Sequence, residues 1–309
     1  MVDIITSTQD AKPFLKWAGG KGQLIPAIEA ALPKDLLAKK NLTYIEPFIG
    51  SGAVLFWILK TYPAIKNAII NDINADLVKA YTAIKHEPKN LIKALQQIQA
   101  AYFELSNEAD RKSFFLDKRS LFNTRQLNEL DNTALLIFLN RTCFNGLYRV
   151  NSNNGFNVPF GKYTNPKICD EKTILADSNL LQKVTILQGD YVETLQYATE
   201  NTFFYFDPPY KPISKTSSFN SYAKDSFNDL EQVRLKEFTD VLTSKKYNWL
   251  LSNSDPKNID PEDNFFDDLY ASDSHHINRV KARRAINSNA TKRGEIFEVL
   301  ISNYKRNRY

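Results

Sequence analysis

Tyr44-Ile45-Glu46-Pro47-Phe48-Ile49-Gly50-Ser51-Gly52 is an apolar run that meets a proline and then two glycines, and the helical pattern Ala53–Lys60 follows it. Its first part, Tyr44–Phe48, reads as a buried strand, because it is continuous in hydrophobicity rather than alternating. The glycines let the backbone approach a ligand closely, and they equally suit a tight structural turn. Five further runs share the strand's character: Ala68–Asn71, Val184–Leu187, Thr202–Phe206, Trp249–Leu251 and Ile296–Ile301. Amphipathic segments such as Asp76–Lys85 and Leu230–Lys245 lie between some of them. Strands alternating with helices predict an α/β fold, a mostly parallel sheet covered on both faces.

The alternation lapses between about Pro88 and Asp170. There Leu91–Leu105, Arg111–Phe122 and Thr133–Phe138 look helical, and a polar, Asn-rich stretch runs from Asn140 to Gly161. This block, residues 88–170, reads as a mainly helical insert dividing a domain made of 1–87 and 171–309. Within it, Asn153-Asn154-Gly155 separates Leu147–Val150 from Phe156–Val158, which signals a β-hairpin.

Composition narrows the class. Of 309 residues, 43% are hydrophobic and 12% aromatic, enough for a large core, which argues against disorder. The formal charge is +5, from 40 basic and 35 acidic residues, a mild excess that permits a nucleic-acid partner without requiring one. Lys281, Arg283, Arg284, Lys292, Arg293, Lys305, Arg306 and Arg308 crowd the tail, either as a solvated basic face or as a polyanion contact. The two cysteines, Cys143 and Cys169, and the three histidines, His86, His275 and His276, show no zinc spacing, so no metal is expected. So few cysteines fit a reducing, cytoplasmic setting. Met1 to Lys12 lacks the apolar core of a signal peptide, and no apolar run approaches the ~20 residues that span a bilayer.

Two features bear on a ligand. Asn71-Asp72 ends the second strand about 20 residues past the glycine turn, where an acid commonly accepts hydrogen bonds from ribose hydroxyls. The pair implies a nucleoside cofactor and leaves NAD and S-adenosylmethionine both open, although the full dinucleotide fingerprint is absent. Ala18-Gly-Gly-Lys-Gly22 resembles a phosphate loop only superficially, since Leu15 and Gly22 occupy positions that need Gly and Ser or Thr. Lys21 instead suits a carboxylate, or simply the surface.

The most specific segment is Phe203-Phe-Tyr-Phe-Asp-Pro-Pro-Tyr210. An apolar strand delivers Asp207, Pro208, Pro209 and Tyr210 to its carboxyl end, where open α/β sheets bind ligands. An exocyclic adenine amine is a poor nucleophile because its lone pair is delocalised into the ring. Hydrogen bonds accepted by Asp207 and by the Pro208 carbonyl would favour a tetrahedral nitrogen. Pro209 fixes its own backbone angle, and Tyr210 offers a flat face for a base. A proline turn capped by an aspartate is the bland alternative.

The whole set of motifs resembles the Dam-type DNA adenine-N6 methyltransferases, specifically their GATC-specific restriction-modification members. The matching stretches are Phe14–Lys21, Glu46–Gly52, Asn71–Asp76, Asn140–Tyr163, Phe206–Tyr210 and Leu251–Asp255, in the family's order. The resemblance implies a Rossmann-like, S-adenosylmethionine-dependent methyltransferase sheet carrying a target-recognition insert. It implies a cofactor site made by Trp17, Lys21, Phe48, Gly50, Gly52, Asp72, Asp190, Tyr191 and Asp207, and catalysis by Asp207, Pro208, Pro209 and Tyr210. It implies double-stranded DNA as partner, met by Phe144, Asn145, Leu147, Arg149 and Pro159 of the insert. In physical terms Arg149 suits a guanine edge or a phosphate, Leu147 or Pro159 a thymine methyl, and Phe144 with Asn145 a wedge in the base stack. Phe144 stands where many relatives carry tyrosine. Ser214–Phe227 reads as a loop closing over the target base, with Phe219 and Tyr222 on its base side, or as a plain surface loop. A cognate endonuclease, and a monomer or weak dimer, complete what the resemblance implies. Cytosine-N4 methylation and a non-catalytic DNA-binding protein are the alternatives.

Overall fold

The computed structural model describes residues 8–17, 21–34, 36, 40–210, 227–283 and 295–305. Seven strands form one sheet: β1 (Leu42–Glu46), β2 (Ile65–Asp72), β3 (Val184–Gln188), β4 (Thr202–Phe206), β5 (Asn248–Ser254), β6 (His276–Arg283) and β7 (Glu295–Ser302), in the order β3-β2-β1-β4-β5-β7-β6. β1 pairs in parallel with β2 and β4, and β4 with β5, whereas β7 runs antiparallel to both β5 and β6. The strand order reverses between β1 and β4, which makes the carboxyl ends of those two strands a topological switch point. The expected α/β class is therefore present. All six anticipated strands form, most of them longer than their apolar cores. β6 was not legible: His276–Arg283 is a polar edge strand that lacks an apolar run.

Contacts divide the chain into two compact units. The first comprises Met1–Gly20, Ile49–Pro63 and Asn71–Gly189, and the expected 88–170 insert lies wholly inside it. It contains α2 (Ala53–Thr61), α3 (Ala75–His86), α4 (Pro88–Glu104), α5 (Glu108–Asn123), α6 (Glu129–Thr142) and α7 (Glu171–Leu181). Asn74, Asn107, Asn128 and Asp170 cap α3, α5, α6 and α7, each accepting a backbone N–H of the first turn. α6 is buried from Asn132 to Asn140, but only its centre is continuously apolar, so the polar residues at its ends made the signal shorter than the helix. Tyr102, Phe115, Phe122, Phe138 and Phe156 fill the space around it. α7 was missed because Asp177, Ser178 and Asn179 interrupt its apolar pattern.

The anticipated hairpin closes, but through two isolated bridges, Cys143–Phe160 and Val150–Phe156, rather than a strand ladder. Side chains replace the missing rungs. Asn151 Oδ1 accepts the N–H of Asn153 (3.0 Å) and Gly155 (2.8 Å), and Asn123 bonds both the N–H and the carbonyl of Phe156 (2.8 and 3.0 Å). Asn and Asp compete in this way with regular pairing.

The second unit comprises Lys21–Phe48, Ala64–Ile70 and Asp190–Tyr309. It contains α1 (Ile25–Ala31), α8 (Asp229–Ser244) and α9 (Phe265–Leu269), with strands β1, β4, β5, β6, β7 and most of β2. Tyr44, Phe203, Phe204, Tyr205 and Trp249 are fully buried in its core. Among the described residues no helix is long and apolar enough to cross a membrane.

Gly52 opens α2 with φ +74°, and a Cβ there would overlap the Tyr81 hydroxyl and sit 3.1 Å from Phe56. Gly52→Ala should therefore cost at least the ~1–2 kcal/mol of a left-handed non-glycine residue. An unchanged urea-unfolding midpoint would show that the turn relaxes freely.

Candidate active site

In the second unit, β4 buries all five residues of Thr-Phe-Phe-Tyr-Phe and releases Asp207 at its carboxyl end. The Asp207 side chain is 22% exposed. Lys21 Nζ lies 3.0 Å from Asp207 Oδ1 and 3.0 Å from Glu298 Oε2, and it donates to the Tyr210 hydroxyl as well. All three N–H bonds of the ammonium are thus engaged. Ser252 Oγ adds a 3.4 Å bond to Asp207 Oδ1 and meets the buried Tyr205 hydroxyl at 2.9 Å. Both contacts to Asp207 fall on Oδ1, so Oδ2 takes no hydrogen bond from the described residues. Pro208 is buried, Pro209 is exposed, and the Pro209 carbonyl accepts Gln232 Nε2 at 3.2 Å.

Burial raises the Asp207 carboxyl to about 6 against the attraction of Lys21, and the like charge of Glu298 adds to the rise. Asp207 is consequently ionised at neutral pH. Burial opposes the charge of Lys21, but Asp207, Tyr210 and Glu298 outweigh it and raise its pKa, so it remains an ammonium. Burial, then the Asp207 charge, raises Tyr210, which stays a neutral phenol.

Phe48, just past β1, packs at 5.1 Å against Tyr191 and at 5.5 Å against Phe227. Asp190 is committed locally: its Oδ1 accepts Val192 N–H at 3.0 Å, and its Oδ2 pairs with Arg234 at 2.5 Å. The Arg234 guanidinium also lies over the Tyr191 ring at 5.0 Å.

In the first unit, Asp72 ends β2 and accepts two backbone N–H bonds, Gly50 on Oδ2 (3.2 Å) and Asn74 on Oδ1 (2.9 Å). Burial raises its pKa, and those bonds oppose the rise. Gly50 has φ +47°, its carbonyl accepts the Tyr81 hydroxyl at 3.1 Å, and the Trp17 indole faces its α-carbon. Trp17 stacks on Tyr148 with ring centroids 5.2 Å apart. The Tyr148 hydroxyl donates to Asp76 (2.8 Å), a buried carboxylate that also holds Arg125 (2.7 Å) and Asn132 (3.3 Å).

The same unit carries the loop expected to meet DNA. Phe144 is 51% exposed, and Asn145, Arg149 and Pro159 are exposed beside a half-buried Leu147. Asn145 holds φ +55°. Arg149 is folded onto Asn157, with Nε 2.7 Å from Oδ1 and Nη2 3.3 Å from the carbonyl. Beneath the loop, fully buried Asn140 bonds the Lys16 N–H and the Lys16 and Gly146 carbonyls at 2.8, 2.8 and 2.9 Å.

The anticipated residues thus fall into one group in each unit: Lys21, Phe48, Asp190, Tyr191 and Asp207–Tyr210 in the second, Trp17, Gly50, Gly52, Asp72 and the recognition loop in the first. Phe219, Tyr222, Ala18–Gly20 and the basic residues Arg284, Lys292, Arg293, Arg306 and Arg308 lie outside the described residues. Sequence reasoning missed Glu298, Ser252, Tyr148 and Arg234. Ser252 and Tyr148 carried a signal through their places in Leu251–Asp255 and Asn140–Tyr163, whereas Glu298 and Arg234 gain meaning only from partners remote in the chain.

The chain resembles known proteins along most of its length. The family model described as "D12 class N6 adenine-specific DNA methyltransferase" matches residues 17–286. A relative from Methanocaldococcus jannaschii named Type II methyltransferase M.MjaIII is 46% identical over 96% of this chain and 100% of its own length. Type II methyltransferase M1.LlaDCHI of Lactococcus lactis subsp. cremoris is 36% identical over 95% of each chain. A DNA adenine methylase from Haemophilus influenzae is 31% identical over 94% of this chain and 92% of its own. The Asp207-Pro208-Pro209-Tyr210 turn at the end of β4, the glycine loop and these matches lead to one conclusion: the chain belongs to the D12 class of N6 adenine-specific DNA methyltransferases.

Proposed function

We propose that this enzyme transfers a methyl group from S-adenosyl-L-methionine to N6 of an adenine turned out of double-stranded DNA, within GATC. The reading rests above all on Asp207, a carboxylate ionised at neutral pH, anchored through Oδ1 and followed by Pro208, Pro209 and Tyr210. Its Oδ2 and the Pro208 carbonyl are the acceptors for the two N–H bonds of the target amine. Accepting both directs the nitrogen lone pair away from the ring. Tyr210 takes the face of the base. Orientation and fixed charge supply the rate enhancement.

The residues fit the cofactor. Asp72 uses two of its roughly four acceptor sites on backbone N–H groups, which fix its aim and leave capacity for ribose hydroxyls. Gly50 and Gly52 would let main chain approach the cofactor, Trp17 and Lys21 would each serve its methionine end, and Phe48, Asp190 and Tyr191 would border its adenine ring. When bound, the sulfonium supplies an already activated methyl group.

Residues 88–170 act as the target-recognition part on the catalytic domain of 1–87 and 171–309. Arg149 leaves Asn157 to read a guanine edge, Leu147 or Pro159 meets a thymine methyl, and Phe144 with Asn145 fills the stack. The names of two relatives as Type II methyltransferases support a place beside a restriction endonuclease of the same target. The enzyme works in the cytoplasm, as a monomer or weak dimer on a palindrome.

Methyl transfer to synthetic duplexes with and without GATC, followed by digestion to nucleosides, tests the proposal; N4-methylcytosine as the only product would overturn it. Asp207→Ala should lower single-turnover rates by at least about a hundredfold while leaving the circular-dichroism spectrum intact. Asp72→Ala should weaken S-adenosylmethionine binding by about 1.5–3 kcal/mol in calorimetry. A larger loss of DNA affinity than of cofactor affinity contradicts the ribose role. Arg149→Ala should remove about 1–3 kcal/mol of discrimination at one base pair. An equal loss on every sequence would instead mark a phosphate contact.

A further inference from the structure

Lys21 poses a problem for catalysis by Asp207. An ammonium paired with a single carboxylate concentrates its charge there, making that carboxylate a weaker hydrogen-bond acceptor. Here the ammonium is divided. Nζ is 3.0 Å from Asp207 Oδ1 and 3.0 Å from Glu298 Oε2, with Lys21 4% and Glu298 8% exposed. The topology explains why a residue so late in the chain is present. β7 runs antiparallel to β5, and Glu298 pairs in register with Ser254, the last residue of β5. Glu298 therefore sits at the carboxyl end of the parallel strands, the end that also carries Asp207. A glutamate buried inside a strand is uncommon without a partner, and this one has Lys21.

We propose that Glu298 is a positioning residue for methyl transfer, drawing part of the Lys21 ammonium away from Asp207 so that the Asp207 carboxylate remains free to grip the target amine. The inference rests on the reading of Asp207 given above. Its electrostatic counterpart is that the Glu298 charge helps to raise the Asp207 carboxyl to about 6. The other groups facing Asp207 are Lys21, which opposes the rise, and Tyr44, Glu46, Tyr205 and Tyr210. Burial raises the pKa of Tyr44 and Tyr205 well above the phenol range, so they stay neutral, and it raises Glu46 as well.

The sign of the effect follows. A carboxyl held near 6 must lose its proton to accept the amine, so the rate of the chemical step falls as pH drops through about 6. Removing the like charge of Glu298 lowers the Asp207 pKa and gives Lys21 wholly to it. Single-turnover rates on a GATC duplex, at saturating S-adenosylmethionine and from pH 4.5 to 8.5, read both consequences. E298Q should move the acidic midpoint down by about one unit and lower the plateau rate about tenfold, with cofactor and DNA affinities within about twofold of the parent. E298D, which keeps the charge, should retain the midpoint and recover part of the plateau. If Glu298→Gln does not fold, the Glu298→Asp profile decides alone: an Asp207 midpoint lowered as in a charge-free site overturns the inference. An E298Q enzyme with parental midpoint and plateau also overturns it, provided D207A is inactive. An active D207A enzyme sinks the reading of Asp207 itself.

Discussion

A lysine ammonium buried to 4% exposure is the constraint on which the rest of the second unit turns. Stripped of water, such a charge is tolerated only with partners that replace its hydration. Lys21 finds them in Asp207, Glu298 and Tyr210, which come from the end of β4, the body of β7 and the turn after β4. The ammonium thus ties the segment before α1 to two strands far away in the chain. β7, antiparallel beside β5, carries Glu298 back to the carboxyl edge where the parallel strands deposit their own acids.

The first unit solves a different problem, that of holding backbone polar groups in place around open glycines. Asp72 binds the Gly50 and Asn74 N–H groups, Tyr81 binds the Gly50 carbonyl, and the Ile49 N–H reaches the Asn71 carbonyl at 3.0 Å. A carboxylate restrained by two peptide groups cannot swing, which is the kind of preorganisation that ligand hydroxyls exploit. Where glycine is required, sterics say so: φ +74° at Gly52 combines left-handed backbone with the nearby Tyr81 hydroxyl and Phe56 ring.

Much of this was legible from the chain alone, and the reasons differ by element. Buried parallel strands advertise themselves as continuous apolar runs, so β1 to β5 and β7 could be read, and their ends located Phe48, Asp72 and Asp207. Edge strand β6 is polar and gave no such signal. Helix α7 hides behind Asp177, which is itself buried and accepts the Lys12 N–H at 3.0 Å, a long-range demand that no local pattern reveals. In the site, residues whose meaning is chemical and local, such as Asp207-Pro208-Pro209-Tyr210, were found. Residues whose meaning is relational were not: Glu298 matters because of Lys21, and Tyr148 because of Trp17 and Asp76. The turn at Asn153–Gly155 was placed correctly in sequence, yet the side chains that take the place of regular pairing belong to Asn151 and Asn123, which do not mark it.

The exposed loop and its footing are separate sets of residues. Phe144, Asn145, Arg149 and Pro159 point outward, while Asn140, Gly146, Asn123 and the Asp76–Arg125–Tyr148 group hold the loop from inside. Substitutions on the outer set leave every inner bond standing. On the proposed reading, in which the outer set meets DNA, exchanging those few side chains would rewrite the target while the footing that carries them stays whole.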